Sequence, residues 1–462
     1  MSMDITKDPI PELIRKLAIP ASVGFFFSTM YNVVDTWCAK MISTDAQAAL
    51  ALSFPIFFII IAMGTGISQG STALISNALG AKDHDKAQLY SLQAISFGVL
   101  FSVFLTAFGL WSTPWMFGYL GAEGDYLRMS LDYMNVILLG TVFFLVQSIL
   151  NAALSAQGDT KSFRNLLIAG FFLNVILDPW FLFGGFGLPA MGIRGIAWAT
   201  VIIQVFGCVY LVGKLSKTEL WRDFHPSCFV PKTGIFRDIA GQGFPASLNV
   251  STIALGIFVI TKFVSHFGKE GVAAYGVATR VEQIALMPVM GLNIAVLTMV
   301  GQNNGARLFG RVRETWTMTL KYGCSIMAVG GAAIFFGGRW MMEMFSEDPE
   351  VVRIGAEYLR IAAITLCAYV LLFQTIYMLQ GLKRPMYAIW IGIYRQIVAP
   401  CAVFWLLAFK LDWKLDGIWW GVFLVTWSAA LVTLWFGRRT LRRVEEEAAG
   451  EGGATENTST GG

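Results

Sequence analysis

Ile19-Pro20-Ala21-Ser22 opens one long apolar run, and Phe244-Pro245-Ala246-Ser247 opens another 225 positions later. The same offset carries Gly66 onto Gly291 and Gly80-Ala81-Lys82 onto Gly305-Ala306-Arg307. Further along, Gln157-Gly158 meets Gln380-Gly381 at an offset of 223. Gly195-Ile196-Ala197-Trp198 then meets Gly417-Ile418-Trp419-Trp420 at 222. A nearly constant offset over five landmarks marks an internal repeat.

Composition says what solvent the repeated unit lives in. Of the 462 residues, 56% are hydrophobic and 14% charged, whereas a soluble domain carries roughly 25% charged residues. A chain this long and apolar would expose too much hydrocarbon to water. The runs are long and lack strict alternation, which argues for spanning helices and against a β-barrel. Read between polar breaks, they predict spans at 14–40, 47–77, 90–112, 130–155, 163–184, 192–214, 240–265, 272–300, 317–338, 355–380, 387–409 and 417–437. Runs beyond 25 residues imply tilt, kinks or protrusion into water. The expected fold is an all-α polytopic membrane protein, with twelve transmembrane helices in two pseudo-symmetric six-helix lobes around a central cleft. Six spans per copy make both copies enter from the same side, as parallel repeats. Alternating access is the natural use of such a cleft.

Lys and Arg set the expected orientation. The amino-terminal segment, the even-numbered loops and the tail hold 21 of them, and the odd-numbered loops hold 8. By the positive-inside rule both termini are cytoplasmic, in a bacterial-type inner (cell) membrane. The expected domains are an N-terminal lobe 1–214, a cytoplasmic loop 215–239, a C-terminal lobe 240–440 and a disordered cytoplasmic tail 441–462. The polar, acidic start MSMDITKDPIPELIRK does not read as a cleaved signal peptide. Basic residues are dispersed, so no nucleic-acid partner is expected. Six scattered cysteines without CxxC spacing read as packing residues, and neither a metal site nor a cofactor is expected.

Inside the bilayer an ionisable side chain is expensive and either functional or paired. Asp35 on span one and Asp178 on span five fall in the outer halves of helices running the same way. Asn174 and Asp178 are four residues apart, as are Tyr31 and Asp35, so each pair shares a helix face. Asn151 on span four and Thr200 on span six offer neutral oxygens to the same cluster. Two carboxylates in a low-dielectric lobe cannot both ionise comfortably. Such a group can take a proton on one side and lose it on the other, or hold a monovalent cation such as Na+ at Asp35, Asn174 and Asp178. Plainer readings compete. Asp35 fits an interfacial charge near Lys40. Asp178 before Pro179 fits a helix kink, with its carboxylate on freed backbone. Asn151, Asn174 and Thr200 fit interhelical hydrogen bonding, and Tyr31 fits packing. Pro20 removes a backbone donor and should bend span one. Lys262 reads as a snorkelling residue; Arg395, deeper in span eleven, needs a partner the sequence does not name.

The two six-helix halves, Pro20, Asp35 fifteen residues later and Asn174-Val175-Ile176-Leu177-Asp178-Pro179 together resemble the multidrug and toxic compound extrusion family over residues 10–440. That resemblance implies cation-coupled antiport of amphipathic, often cationic drugs out of the cell. Family branches resembling NorM carry a glutamate in span seven and an aspartate in span ten. Here span seven reads Ser247-Leu248-Asn249-Val250-Ser251-Thr252, and span ten has Gln374 and no aspartate. The acids of the first lobe instead resemble the DinF-like branch, which implies proton coupling, with Na+ at the same site as the alternative. A hinge at Pro20 that responds to protonation is also a family proposal. Two lobes in one chain suit a monomer without an obligate protein partner.

Other functions leave other marks. A lipid-linked precursor flippase shares the two-lobe plan but often adds two spans and lines its cavity with arginines. An enzyme would show a signature such as HExxH, GxSxG or Walker A, and none occurs; His84, His225 and His266 all lie in loops or at span ends. A channel is a further alternative; the two-fold repeat and the buried carboxylates favour a carrier, and single-channel currents would overturn that.

Overall fold

Apolar runs become helices here because hydrocarbon offers backbone N–H and C=O groups no partner but one another. The computed structural model describes residues 3–185, 187–222 and 225–459, with side chains except at 226 and 449–459. In chain order the helices are α1 (Ile10–Ile42), α2 (Thr44–Gly80), α3 (His84–Tyr119), α4 (Gly124–Leu139), α5 (Thr141–Ala156), α6 (Lys161–Phe183) and α7 (Ile193–Leu215). They continue with α8 (Thr233–Val264), α9 (Lys269–Gly305), α10 (Phe309–Glu343), α11 (Pro349–Gly381), α12 (Met386–Lys410) and α13 (Lys414–Ser459). Among the described residues, 11 helices are long and apolar enough to cross a membrane, and α4 with α5 makes up to 12 if the bent pair is one span.

That bent pair differs from the continuous span expected over 130–155. The chain turns by 45° between Leu139 and Thr141. Gly140 sits at the corner because a Cβ there would meet Val201 Cγ2 of α7 at 2.4 Å. A second irregularity lies in α12, which opens into π turns at Tyr394–Val398 and Trp405–Lys410. Pro400 accounts for the first: it has no N–H for the carbonyl of Gln396 and its ring crowds that carbonyl, so the turn widens.

The repeat survives in backbone geometry. Lys82 and Arg307, 225 apart, both take φ 59°; Gly158 (φ 89°) and Lys383 (φ 58°) are a second pair 225 apart, so the backbone keeps the offset of 225 where the Gln-Gly sequence match had suggested 223. Each follows a helix end closed by the same long bond: Asp83 N to Ala78 O (3.0 Å), Leu308 N to Asn303 O (2.8 Å), Asp159 N to Leu154 O (2.9 Å) and Arg384 N to Leu379 O (2.8 Å). These are left-handed C-terminal caps of the Schellman kind, which satisfy carbonyls the helix leaves orphaned. Three of the four place a lysine or arginine at a position that favours glycine.

Chain contacts divide the molecule into two compact units. One comprises Pro20–Leu79 and Asp83–Ser251; the other comprises the chain up to Ile19, Gly80–Lys82 and the chain from Thr252. In the first unit α2 and α8 touch backbone to backbone: a Cβ on Gly66 would lie 2.1 Å from Ser247 N, and one on Gly70 would lie 2.6 Å from Gly243 N. The segment 215–239 is expected as a loop between lobes; its described residues, 215–222 and 225–239, pack on α3 through several contacts. Buried Gln93 donates to the carbonyls of Cys228 (2.5 Å) and Val230 (2.7 Å) and accepts from Lys232 N (2.9 Å). Trp221 donates to Ser91 (3.0 Å), and Tyr90 donates to Asp238 (2.8 Å).

The second unit gathers the amino-terminal segment. Arg311 donates to the carbonyls of Ile5 (3.2 Å) and Asp8 (2.7 Å) and to Asn303 Oδ1 (3.1 Å). Ile5, Ile10, Leu13 and Leu17 pack with Leu292, Ala295 and Met299. Boundaries at 214 and 240 therefore do not coincide with the compact units. The tail expected to be disordered from 441 instead continues α13 to Ser459; residues 460–462 lie outside the described residues. Leu441 is buried against Val312 and Trp316, Arg384 pairs with Glu447 (3.3 Å), and Arg313 pairs with Glu445.

Gln93→Leu tests the docking of 215–239. Losing its donors and acceptor removes three hydrogen bonds to partly exposed backbone of the segment, at a cost of about 0.5–1.5 kcal/mol each. The expected result is a lower Tm and faster proteolytic cleavage between 215 and 239; an unchanged cleavage rate would mean that Gln93 does not hold the segment.

Candidate ion-coupling site

The first unit brings together most of the polar residues that the sequence singles out. Asp35 on α1 and Asn174 on α6 are joined directly: Asn174 Nδ2 donates to Asp35 Oδ1 at 2.8 Å. One turn on from Asn174, Asp178 lies beside Asp35, Asn174 and Cys38. Asp178 and Asn174 are wholly buried, and Asp35 is 7% exposed. The Tyr31 hydroxyl is buried next to Thr200 and the two aspartates. Thr200 itself donates to Ile196 O on α7 at 3.1 Å. Asn151 points elsewhere in its bonding, accepting from Ser155 Oγ on its own helix at 3.2 Å.

Pro20 is buried within an unbroken α1, at the point where the helix passes from one compact unit to the other. Pro179 sits inside α6, directly after Asp178, and leaves the Val175 carbonyl without its helical donor. The helix then ends at Phe183, where Gly184 (φ 77°) donates to Trp180 O at 2.9 Å.

The cluster is under-supplied with positive charge and with donors. Among the described residues, no lysine or arginine counts among the groups that act on either carboxylate. Among the described residues, both Asp178 oxygens, Asn174 Oδ1 and Tyr31 Oη are buried without a well-formed hydrogen bond, although Asp35, Asn174 and Cys38 lie beside Asp178 and Thr200 beside Tyr31. A buried polar atom left unpaired costs free energy, and a buried charge costs far more. A proton or a small monovalent cation supplies what these oxygens lack, and the donor set of two carboxylates, an amide oxygen and a phenol suits either.

Two members escaped the sequence reading. Cys38, fully buried, is three residues from Asp35 and thus on its face. Tyr133 of α4, 3% exposed, lies within the field of both aspartates. Its repeat partner at the offset of 225 is Tyr358, also buried, and that pairing was a readable signal. A third residue, Glu282, stands in α9 and is 7% exposed; an acid within an apolar run is itself a signal.

Repeated helices crossing a membrane around such a site define a transport protein. The sequence profile of the MatE family matches residues 20–180 and 245–403. The chain belongs to the MatE family, whose members are transporters and not enzymes. It is 26% identical over 362 residues to the "Probable multidrug resistance protein NorM" of Thermotoga maritima, covering 76% of each chain. It is 28% identical over 340 residues to the "Probable multidrug resistance protein YoeA" of Bacillus subtilis, covering 72% of each. In fold it matches the outward-facing structure of a multidrug resistance MATE family transporter of the MOP superfamily, with TM-score 0.90, 23% identity, and 96% and 99% of the two chains covered.

Asn174→Leu should destabilise the protein by about 1–3 kcal/mol, because Asp35 keeps its burial and loses its donor. Adding Asp35→Leu should return part of that loss in a thermal double-mutant cycle; strictly additive shifts would show that the bond contributes nothing.

Proposed function

We propose that this chain is a multidrug efflux antiporter of the cell membrane, in which inward movement of a cation at Asp35 and Asp178 drives export of amphipathic, often cationic compounds. The observation that carries the reading is the pair of buried carboxylates with both Asp178 oxygens lacking a donor and no basic side chain acting on them. The multidrug resistance relatives support the substrate class. Asp35, Asp178 and Asn174 exchange the ion; Tyr31, Thr200 and Asn151 support them, and Pro20 lets α1 bend.

The proton is the preferred ion, in keeping with a DinF-like acid pattern: acids in the first lobe, none in span seven and no aspartate in span ten. The cycle is then short. Facing outward, the pair takes a proton and drug leaves; facing inward, the proton leaves and drug enters. Sodium at the same place is the second reading. It is favoured by the number of partnerless oxygens, since one cation collects several oxygens while one proton serves a single bond. The basic bias of the even-numbered loops supports cytoplasmic termini. Two repeats in one chain support function as a monomer.

Export from proteoliposomes decides the ion and the site. Wild-type protein should export drug under an imposed proton gradient, and Asp35→Asn and Asp178→Asn should fall to the passive leak rate. Export driven by sodium alone would replace the proton with sodium. Intact gradient-driven export in both variants would remove the coupling role from the aspartates.

A further inference from the structure

The second unit contains its own cluster of charged and aromatic side chains, built differently, with Glu282 buried and Arg395 half-buried. Glu282 lies within α9, and Tyr358 Oη donates to its Oε2 at 2.7 Å. Tyr369, on the same helix as Tyr358, lies against both Glu282 and Arg395. The Arg395 guanidinium sits over the rings of Tyr369 and Phe373, at 5.4 and 5.7 Å from their centroids. Arg395 belongs to the π turn Tyr394–Val398, a distortion found most often at functional positions. Aromatic rings close the cluster: Tyr358 lies 4.9 Å from Trp419 and 5.5 Å from Tyr275, centroid to centroid.

The titratable groups facing Glu282 are Tyr275 on its own helix, Tyr358 and Tyr369 on α11, and Arg395 on α12. Arg395 and Glu282 do not touch: among the described residues no ion pair within 4.0 Å joins them, and Tyr369 lies between the guanidinium and the carboxylate. The repeat makes the contrast sharp. Tyr133 in the first unit faces two carboxylates and no cation. Tyr358, its counterpart 225 positions later, faces one carboxylate and a guanidinium across Tyr369.

We propose that Arg395 is a tethered counter-cation for Glu282, so that the second unit carries a balanced, permanent charge pair and exchanges no ion during transport. The proposal rests on the reading of Asp35 and Asp178 as the exchanging site. Phenol donors and a cation that cannot dissociate give Glu282 what the Asp178 oxygens lack. Removing the guanidinium would leave a lone carboxylate in a low-dielectric site, where it must acquire a mobile positive charge.

Proton uptake by the purified full-length protein tests this, measured with an indicator dye during acidification in sodium-free choline buffer. Glu282→Gln should take up as many protons as wild type. Arg395→Met should take up one more, and Glu282→Gln/Arg395→Met should return to the wild-type count. Loss of one proton in Glu282→Gln, or no gain in Arg395→Met, would overturn the proposal. If Arg395→Met gives no folded protein, recovery of folded protein in the double variant supports the pairing, and failure to recover contradicts it. Asp35→Asn and Asp178→Asn in the same titration should lower the count. An unchanged count there would sink the coupling reading while leaving the Arg395 result standing.

Discussion

A carboxylate in hydrocarbon must be given charge or donors, and the rest of this structure follows from how that demand is met at Asp35 and Asp178. Asn174 meets part of it with one hydrogen bond of 2.8 Å to Asp35. Asp178 has Asp35, Asn174 and Cys38 beside it, yet among the described residues neither of its buried oxygens completes a well-formed hydrogen bond. Two acids in one low-dielectric pocket repel each other, and each is penalised for ionising. On the proposed reading, a site with that deficit captures a positive charge when water reaches it and releases it when conditions reverse. The same deficit would be only a defect in a protein that had no gradient to use.

Helix packing makes the deficit tolerable. The residues stand on α1, α4, α6 and α7, and are held there by contacts within one compact unit. The glycines of α2 let α8 approach until backbone meets backbone, and Gln93 ties the segment 215–239 to α3. The Schellman ends at Ala78, Leu154, Asn303 and Leu379 show that the two halves are one design executed twice. Their polar contents have diverged: a pair of acids in the first, and an acid with a guanidinium in the second.

Much of this was legible in the sequence. The repeat, the apolar runs and the Tyr31/Asp35 and Asn174/Asp178 spacings are periodic signals, and periodicity is what helices preserve. The break at Gly140 was not legible, because it depends on Val201, distant in sequence, occupying the space a Cβ would need. Nor was the allegiance of 215–239, which follows from Gln93 bonding to carbonyls more than 130 positions away. A polar, acidic tail reads as unstructured, yet Arg313 and Arg384 supply partners for Glu445 and Glu447 on one extended helix. Glu282 and Tyr133 were within reach: the first as an acid inside an apolar run, the second through its repeat partner Tyr358.

Equilibrium drug binding to the purified protein, titrated against pH and separately against sodium, tests most directly whether drug and ion compete through the aspartate pair. Wild type should bind drug more weakly as the coupling ion is raised, and Asp178→Asn should lose that dependence while still binding drug. The same ion dependence in Asp178→Asn as in wild type would contradict the account.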